Sequence, residues 1–135
     1  MTTRFVDTGF LIALESAGDQ HHSQAVATWS TVLARRDALV TTTYVLDETA
    51  TFFNSRGHHA KALQIGTALL NSTLMTLIHV DEALFNDAWR EFTLHSDKRY
   101  SLTDCVSFVV MRRRRIKSAL AFDKHFSQAG FERLP

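Results

Sequence analysis

The chain has 135 residues and nearly balanced charge, with 15 Lys and Arg against 14 Asp and Glu. This length predicts a single domain over residues 1–135 and leaves little room for a second one. Apolar residues make up 45% of the chain, enough for a buried core, and the net charge of +1 excludes a protein that coats polyanions through bulk charge. Any contact with nucleic acid must therefore come from a local basic patch.

The amino terminus and the apolar runs argue against export and membrane insertion. Residues 1–7 lack the basic segment and long apolar stretch of a secretory signal, and the longest purely apolar run covers only residues 108–111. A bilayer-spanning helix takes about 20 residues. The single cysteine, Cys105, excludes an internal disulfide and is expected to be a small buried side chain. We therefore expect a cytoplasmic protein with no membrane association.

Short β-rich runs alternate with helical patterns along the chain. The predicted strands cover residues 3–6, 39–42, 75–78, 118–121 and, more weakly, 131–134. Strands that alternate with helices require crossover connections, so the sheet should be mainly parallel and covered by helices on both faces. The predicted fold class is therefore α/β, a three-layer α/β/α sandwich around a four- to five-stranded sheet.

Two of the predicted helices are recognised by apolar residues at helical spacing. One stripe contains Trp29 and the other contains Trp89, so both tryptophans are expected in the core. Asp19 and Asp81 precede these stripes and are the predicted N-caps of the two helices.

Three aspartates lie where ligands bind in an open parallel sheet, beyond the carboxyl ends of strands at the point where strand order reverses. Asp7 directly follows the first strand and Asp123 the fourth, so their carboxylates face each other if these strands are neighbours. Asp104 opens a helix predicted at residues 103–115 that leads into the fourth strand and should be buried. Each aspartate alone could equally be a helix N-cap, and only their joint placement favours a shared site.

A helix predicted at residues 43–56, ending at Gly57, supplies a fourth acid. At about 100° per residue, Val45 marks the buried face of this helix, Glu48 lies on its border and Asp47 points to solvent. Carboxylates that converge repel one another and are forced to bind protons unless a cation neutralises them. Oxygen-only ligands favour Mg²⁺ or Mn²⁺ over zinc, and such a metal can activate water and stabilise the charge that develops during phosphodiester cleavage.

Four short segments containing these acids resemble the acidic motifs of PIN-domain nucleases, in the order found in that family. They are residues 5–8, 44–49, 102–104 and 121–126, which read FVDT, YVLDET, LTD and AFDKHF. The resemblance covers essentially the whole chain and is closest to the small stand-alone PIN proteins called VapC, toxins of toxin–antitoxin pairs. Cys105 and Val106 depart from the small residues usual after the third motif, a difference that concerns packing.

This resemblance implies an endoribonuclease that cleaves RNA, leaves a 5′-phosphate and depends on Mg²⁺ or Mn²⁺. The metal-binding and catalytic acids that it implies are Asp7, Glu48, Asp104 and Asp123. Thr8 and Thr103 would be polar neighbours of the metal. The resemblance also implies a homodimer whose activity is blocked by a separately encoded antitoxin protein.

Two basic segments are candidate RNA contacts. Lys98 and Arg99 lie in the predicted loop before Asp104, close to where a scissile phosphate would bind. Arg112 and Arg113 begin a basic run that continues to the end of the predicted helix, and this end is about 16 Å from Asp104 along the axis. That run either complements the helix dipole as solvated charge or contacts RNA or an antitoxin.

The histidines are expected to be surface residues. The pairs at positions 21–22 and 58–59 lack zinc-site spacing because adjacent residues diverge on a helix. His125 follows Asp123 by two residues, and a position on a helix surface is favoured for it over a substrate contact.

Other enzymes with an aspartate after the first strand fit less well. A haloacid-dehalogenase-type phosphatase needs a second aspartate where Gly9 stands, and a phosphoreceiver domain needs an acidic pair near the first strand and a late lysine. A Walker-type NTPase needs a Gly-rich loop before a Lys-Ser or Lys-Thr pair, which the sequence lacks. Two alternatives to a toxin stay open: an RNA-processing PIN nuclease, and a non-catalytic RNA- or protein-binding module whose acids are caps.

Overall fold

Five strands and seven helices alternate along the chain in a computed structural model that describes residues 2–135. The strands are β1 (Thr3–Val6), β2 (Ala38–Thr42), β3 (Met75–Ile78), β4 (Ser118–Leu120) and β5 (Glu132–Leu134). The helices are α1 (Thr8–Glu15), α2 (His22–Ala34), α3 (Thr43–Ser55), α4 (His59–Asn71), α5 (Glu82–Leu94), α6 (Leu102–Arg113) and α7 (His125–Gln128). All five predicted strands are confirmed, each to within one residue at either end.

The strands form one sheet in the order β3-β2-β1-β4-β5, and all four neighbouring pairs are parallel. From the central β1 the chain moves to β2 and β3 on one side, then crosses to β4 and β5 on the other. Val6 pairs with Leu120, and the Asp7 N–H donates to the Leu120 carbonyl at 3.1 Å. Strand order therefore reverses between β1 and β4, which confirms the predicted α/β architecture and meets the condition under which Asp7 and Asp123 are expected to face each other.

The core surrounds the central strands and α6. Phe126 lies between Phe5 of β1 and Phe108 of α6, with ring centroids 6.3 and 5.1 Å away. Every residue of α6 from position 103 to 111 is buried, including Cys105, as the apolar run predicted. Because nearly the whole helix is packed on all sides, its amino-terminal turn is held firmly at the carboxyl end of the sheet.

The two tryptophans expected in the core have different surroundings. Trp89 is 50% exposed, so its predicted place in the core is wrong. The residue that α5 buries in this turn is Ala88, whose small side chain lets the helix pack closely on α6 while the indole stays on the outer flank. Trp29 of α2 is half-buried and packs against Phe10, with ring centroids 6.3 Å apart.

The helix ends confirm one predicted N-cap and contradict the other. Asp81 caps α5, since its side chain accepts from the Leu84 N–H at 2.8 Å. Asp19 does not cap α2, because that helix begins three residues later, with His21 at the N-cap position. Gly57 has φ +80°, a left-handed conformation that glycine adopts without strain after α3.

The last predicted helix ends at Arg113, two residues earlier than expected. Three helices, α1, α4 and α7, were not among those predicted from periodicity. Within residues 2–135, no helix combines the length and the apolar content needed to cross a membrane.

Candidate functional site

The four predicted acids come from four different elements at the carboxyl end of the sheet. Asp7 lies between β1 and α1, Asp123 follows β4, Asp104 stands in the first turn of α6 and Glu48 is in α3. The charges of the other three all act on the Asp7 carboxyl group. The structure therefore places the predicted acids at one end of the sheet, close enough for the other three to act electrostatically on Asp7.

Asp7 is the most deeply placed of these acids, with 6% of its surface exposed. It occupies the N-cap position of α1, yet its side chain makes no capping hydrogen bond. Burial, followed by the negative charges of Asp104, Glu48 and Asp123, raises the pKa of Asp7 from 3.8 to about 8, against a smaller lowering by the backbone N–H of Thr8. Without a positive charge nearby, the four carboxylates cannot all be ionised at neutral pH.

Asp104 is buried and fixed by a capping box at the start of α6. Its Oδ2 accepts from the Ser101 N–H at 3.0 Å, and its own N–H donates to Ser101 Oγ at 2.9 Å. The same Oδ2 lies 2.9 Å from His125 Nδ1. Its Oδ1 has no hydrogen bond to residues 2–135, so Asp104 serves as a cap with one oxygen and leaves the other free.

His125 joins Asp104 to Asp123. The backbone N–H of His125 donates to Asp123 Oδ1 at 2.9 Å, and its Nδ1 lies 3.3 Å from Asp123 Oδ2. Because both neighbours are carboxylates, Nδ1 is the donor in these contacts. Ligand atoms of the three residues lie within 4.8 Å of one another. The predicted surface position of His125 is therefore wrong, since the first turn of α7 directs its ring at the acids.

Glu48 is half-buried and accepts a hydrogen bond from Thr8 Oγ1 at 2.7 Å. This contact ties α3 to the start of α1, next to Asp7. Asp47, its neighbour, is exposed. Thr103 is buried, and its carbonyl accepts a hydrogen bond from Ser107 Oγ. Within residues 2–135, its side chain makes no hydrogen bond to an acid. Of the two predicted polar neighbours, the structure thus brings Thr8 into the acidic cluster through a side-chain bond.

The predicted basic residues have different surroundings. Lys98 and Arg99 are exposed in the segment before α6. Arg112 pairs with Glu91 of α5 at 2.6 Å, and Arg113 pairs with Asp87 of the same helix. The last two are therefore partly neutralised within the protein, at the opposite end of α6 from Asp104.

The four histidines of the two predicted surface pairs differ in burial. His58 and His59 are exposed, as predicted. His21 and His22 are half-buried, which corrects their predicted surface positions. The His21 ring stacks on Phe122 at 4.3 Å between centroids, and His22 Nδ1 lies 2.8 Å from the Ala13 carbonyl.

Comparisons with known proteins agree with this geometry. A family model described as the PIN domain matches residues 4–132. A protein named 23S rRNA-specific endonuclease VapC20, from Mycobacterium tuberculosis strain ATCC 25618 / H37Rv, is 39% identical over 127 residues, which is 94% of each sequence. The same name and identity apply to the protein of strain CDC 1551 / Oshkosh.

The fold comparison gives the same result. A crystal structure of Mycobacterium tuberculosis VapC20, described as a Sarcin-Ricin loop cleaving toxin, matches with a TM-score of 0.84 and 37% sequence identity. The match covers 96% of each chain. The predicted PIN-like sandwich and the resemblance to VapC toxins are both confirmed.

Proposed function

Because the chain belongs to the PIN domain family, we propose that it is a metal-dependent endoribonuclease and the toxin of a toxin–antitoxin pair. The observation that carries this proposal is the buried Asp7 carboxyl, whose pKa is raised to about 8 by burial and three neighbouring acids. Such a cluster is costly unless a cation occupies it. The relative that is named as an rRNA endonuclease supports RNA as the substrate.

The donor set fits a hard divalent cation. Asp7, Glu48, Asp104 and Asp123 offer carboxylate oxygens only, which suits Mg²⁺ or Mn²⁺. Once bound, such an ion lowers the pKa of water and offsets the charge that develops on a phosphodiester. We assign His125 to positioning the acids, because its Nδ1 is already engaged by two carboxylates.

The protein's own contribution is to hold these acids in place before substrate arrives. Thr8 fixes Glu48, while Ser101 and His125 fix Asp104 through one oxygen. Side chains restrained in this way lose little freedom when they take up a ligand, so binding energy is not spent on ordering them. The Asp7 carboxyl retains its proton near neutral pH until positive charge reaches the cluster.

Two protein partners are part of the proposal. A homodimer would use the outer flank of α5, where Trp89 stacks between Phe85 and Phe92 at 6.4 and 5.6 Å and is half exposed. An antitoxin would use the apolar cleft between α1, α2 and α4, to which Trp29 and Leu74 contribute. With RNA as its substrate and an antitoxin as its partner, we expect the protein to act in the cytoplasm.

The test is cleavage of RNA by the purified protein with Mg²⁺ or Mn²⁺, using 23S rRNA and total cellular RNA as substrates. Asp104→Asn and Asp123→Asn should each lower the cleavage rate at least 100-fold, on the scale reported for loss of one group that stabilises transition-state charge. Asp47→Asn, an exposed acid one residue from Glu48, is the matched control and should cut normally. EDTA should stop cleavage, and added metal should restore it.

The outcomes separate the alternatives. If wild type cuts neither RNA, or if the two variants cut as well as wild type, the nuclease proposal fails and a non-catalytic binding module is favoured. If wild type cuts RNA but its expression does not arrest growth, or if it arrests growth and no adjacent gene product relieves the arrest, the RNA-processing alternative replaces the toxin.

A further inference from the structure

A polar cavity lies at the opposite end of the sheet from the acids. Its volume is about 440 Å³, and it is formed by the amino ends of β1, β4 and β5 with the segment that follows α6. The residues that matter for its chemistry are Thr3, Arg4, Arg114, Arg115, Lys117 and Glu132. Cations thus dominate its lining, whereas carboxylates dominate the site at the opposite end.

Arg4 is a buried cation with donors left over. Its Nε donates to Asp37 Oδ2 at 2.8 Å and its Nη1 to Ser118 Oγ at 2.9 Å, while only 8% of the residue is exposed. Its Nη2 has no hydrogen-bond partner among residues 2–135. A guanidinium carries five N–H donors in a fixed plane, so these two bonds lock the group and leave other donors available in the cavity. This is a preorganised ligand for an anion.

Three exposed cations surround this buried one. Arg114, Arg115 and Lys117 make no ion pair within 4.0 Å in the described part of the chain. They differ in this from Arg112 and Arg113, which pair with carboxylates of α5. The three side chains therefore keep their full charge for a ligand that enters the cavity.

The opposing charges cancel only part of this positive set. Asp37 offsets the charge of Arg4, and Glu132 is the one carboxylate among the cavity's lining residues, so the three exposed cations leave the cavity with a net positive charge. Complementing the dipole of α6 accounts for a cation at its end, such as Arg114, but not for the spare donors of Arg4 or for the cavity itself. Planar guanidinium donors next to flexible cations are the chemistry that recognises phosphate oxygens.

We propose that this cavity binds a backbone phosphate of RNA at a distance from the acids. Asp104 and Arg114 are ten residues apart along α6, which is about 15 Å. At about 3.4 Å per nucleotide step, this separation corresponds to roughly four or five nucleotides, and more along a path over the surface. A folded RNA can therefore reach both ends of the protein. The inference rests on the proposed function only in taking the polyanion to be RNA.

The test measures RNA binding without cleavage, in EDTA, by fluorescence anisotropy of a labelled RNA hairpin over a range of KCl concentrations. The variant Arg114→Ala/Arg115→Ala/Lys117→Ala removes the exposed cations of the cavity. Its control removes the same charge elsewhere, as Arg56→Ala/Lys61→Ala/Arg90→Ala. All six side chains lie at least partly in solvent, and circular dichroism checks that both variants fold.

Loss of one phosphate contact should reduce the slope of log K against log salt by about 0.7 to 0.9 in the cavity variant, with the control close to wild type. Equal slopes in all three proteins, or equal reductions in both variants, would overturn the proposal. Inorganic phosphate serves as a second probe. If it raises the melting temperature of wild type but not of the cavity variant while the RNA slopes agree, the site takes a free anion and the RNA assignment is wrong.

This experiment is independent of catalysis. Asp47→Asn, at an exposed acid outside the cavity and outside the candidate site, should bind the hairpin with the wild-type salt slope in EDTA. A protein that binds RNA through the cavity but cuts none would retain this inference and lose the proposed nuclease function. If the protein cuts RNA but the cavity variant keeps the wild-type salt slope, the proposed nuclease function stands and this inference fails.

Discussion

Replacing Asp7 with asparagine should stabilise the metal-free protein while abolishing its activity. The pKa of Asp7 is about 8 in the folded chain and 3.8 in the reference state, so between these values the unfolded chain releases a proton that the folded chain retains. Stability from this residue is therefore lost as pH rises from about 4 to about 8. Asparagine has nearly the same shape and no proton to lose, so the variant escapes this penalty.

The size of the effect follows from the shift. At about 1.4 kcal/mol per pKa unit, the penalty at pH 7 is about 4 kcal/mol. The unfolding entropy typical of a domain with 135 residues converts this to a rise of about 10–15 °C in melting temperature. The difference between Asp7→Asn and wild type should become small near pH 4 and vanish at lower pH, where the Asp7 carboxyl is protonated in both the folded and the unfolded chain.

The assay is urea unfolding in EDTA at several pH values between 4 and 8, for wild type, Asp7→Asn and the control Asp47→Asn. The exposed Asp47 has no comparable burial, so its variant should follow wild type. Saturating Mg²⁺ should raise the stability of wild type far more than that of Asp7→Asn. A variant that is no more stable than wild type at pH 7, or a difference that does not grow with pH, would refute the reasoning.

Four other substitutions or treatments test separate contacts. Burial raises the pKa of the Cys105 thiol to about 11, so a thiol reagent at pH 8 should label native protein only as fast as it unfolds, and rapid native labelling would contradict this. Thr8→Val removes the 2.7 Å bond to Glu48 and should slow RNA cleavage about tenfold; an unchanged rate would show that Glu48 needs no such support. His125→Ala should weaken Mg²⁺ binding, measured by calorimetry, about 10- to 100-fold, and equal affinities would exclude the positioning role. Trp89→Glu should convert a dimer to a monomer in light scattering, while a dimeric variant, or a monomeric wild type, would reject the α5 interface.

The sheet and the positions of three of the acids could be predicted from the sequence, because they depend on local residue patterns and on the general geometry of parallel sheets. β-rich runs between helical segments require parallel pairing, and parallel strands place the residues that follow them at one edge. This is sufficient to place Asp7 and Asp123 at the same edge, whereas the pairing of β1 with β4, which makes their strands neighbours, comes from the structure. The position of Glu48 required only the angular spacing of a helix, since Val45 on the same helix is fully buried.

The errors arose where packing rather than periodicity decides. Trp89 lies on an apolar stripe, but the close approach of α5 to α6 selects the small Ala88 for burial. His125 sits in a helix of four residues, too short to give a periodic signal, so its contact with Asp104 could not be predicted from spacing. The relevant clue was its separation of two residues from Asp123, which permits the backbone bond that turns the ring inward.

The parallel arrangement of all five strands also separates charge along the strand direction. Every crossover returns the chain to the same edge, so the acids collect beyond the carboxyl ends and Arg4, Arg114, Arg115 and Lys117 collect at the amino ends. The protein therefore has two separated clusters of opposite charge despite a net charge of only +1. In the field of a polyanion these two clusters contribute a torque that favours the basic end forward and the carboxylates away. Occupation of the acidic end by a divalent ion weakens that torque, so metal loading changes the orientation in which the protein first meets a nucleic acid.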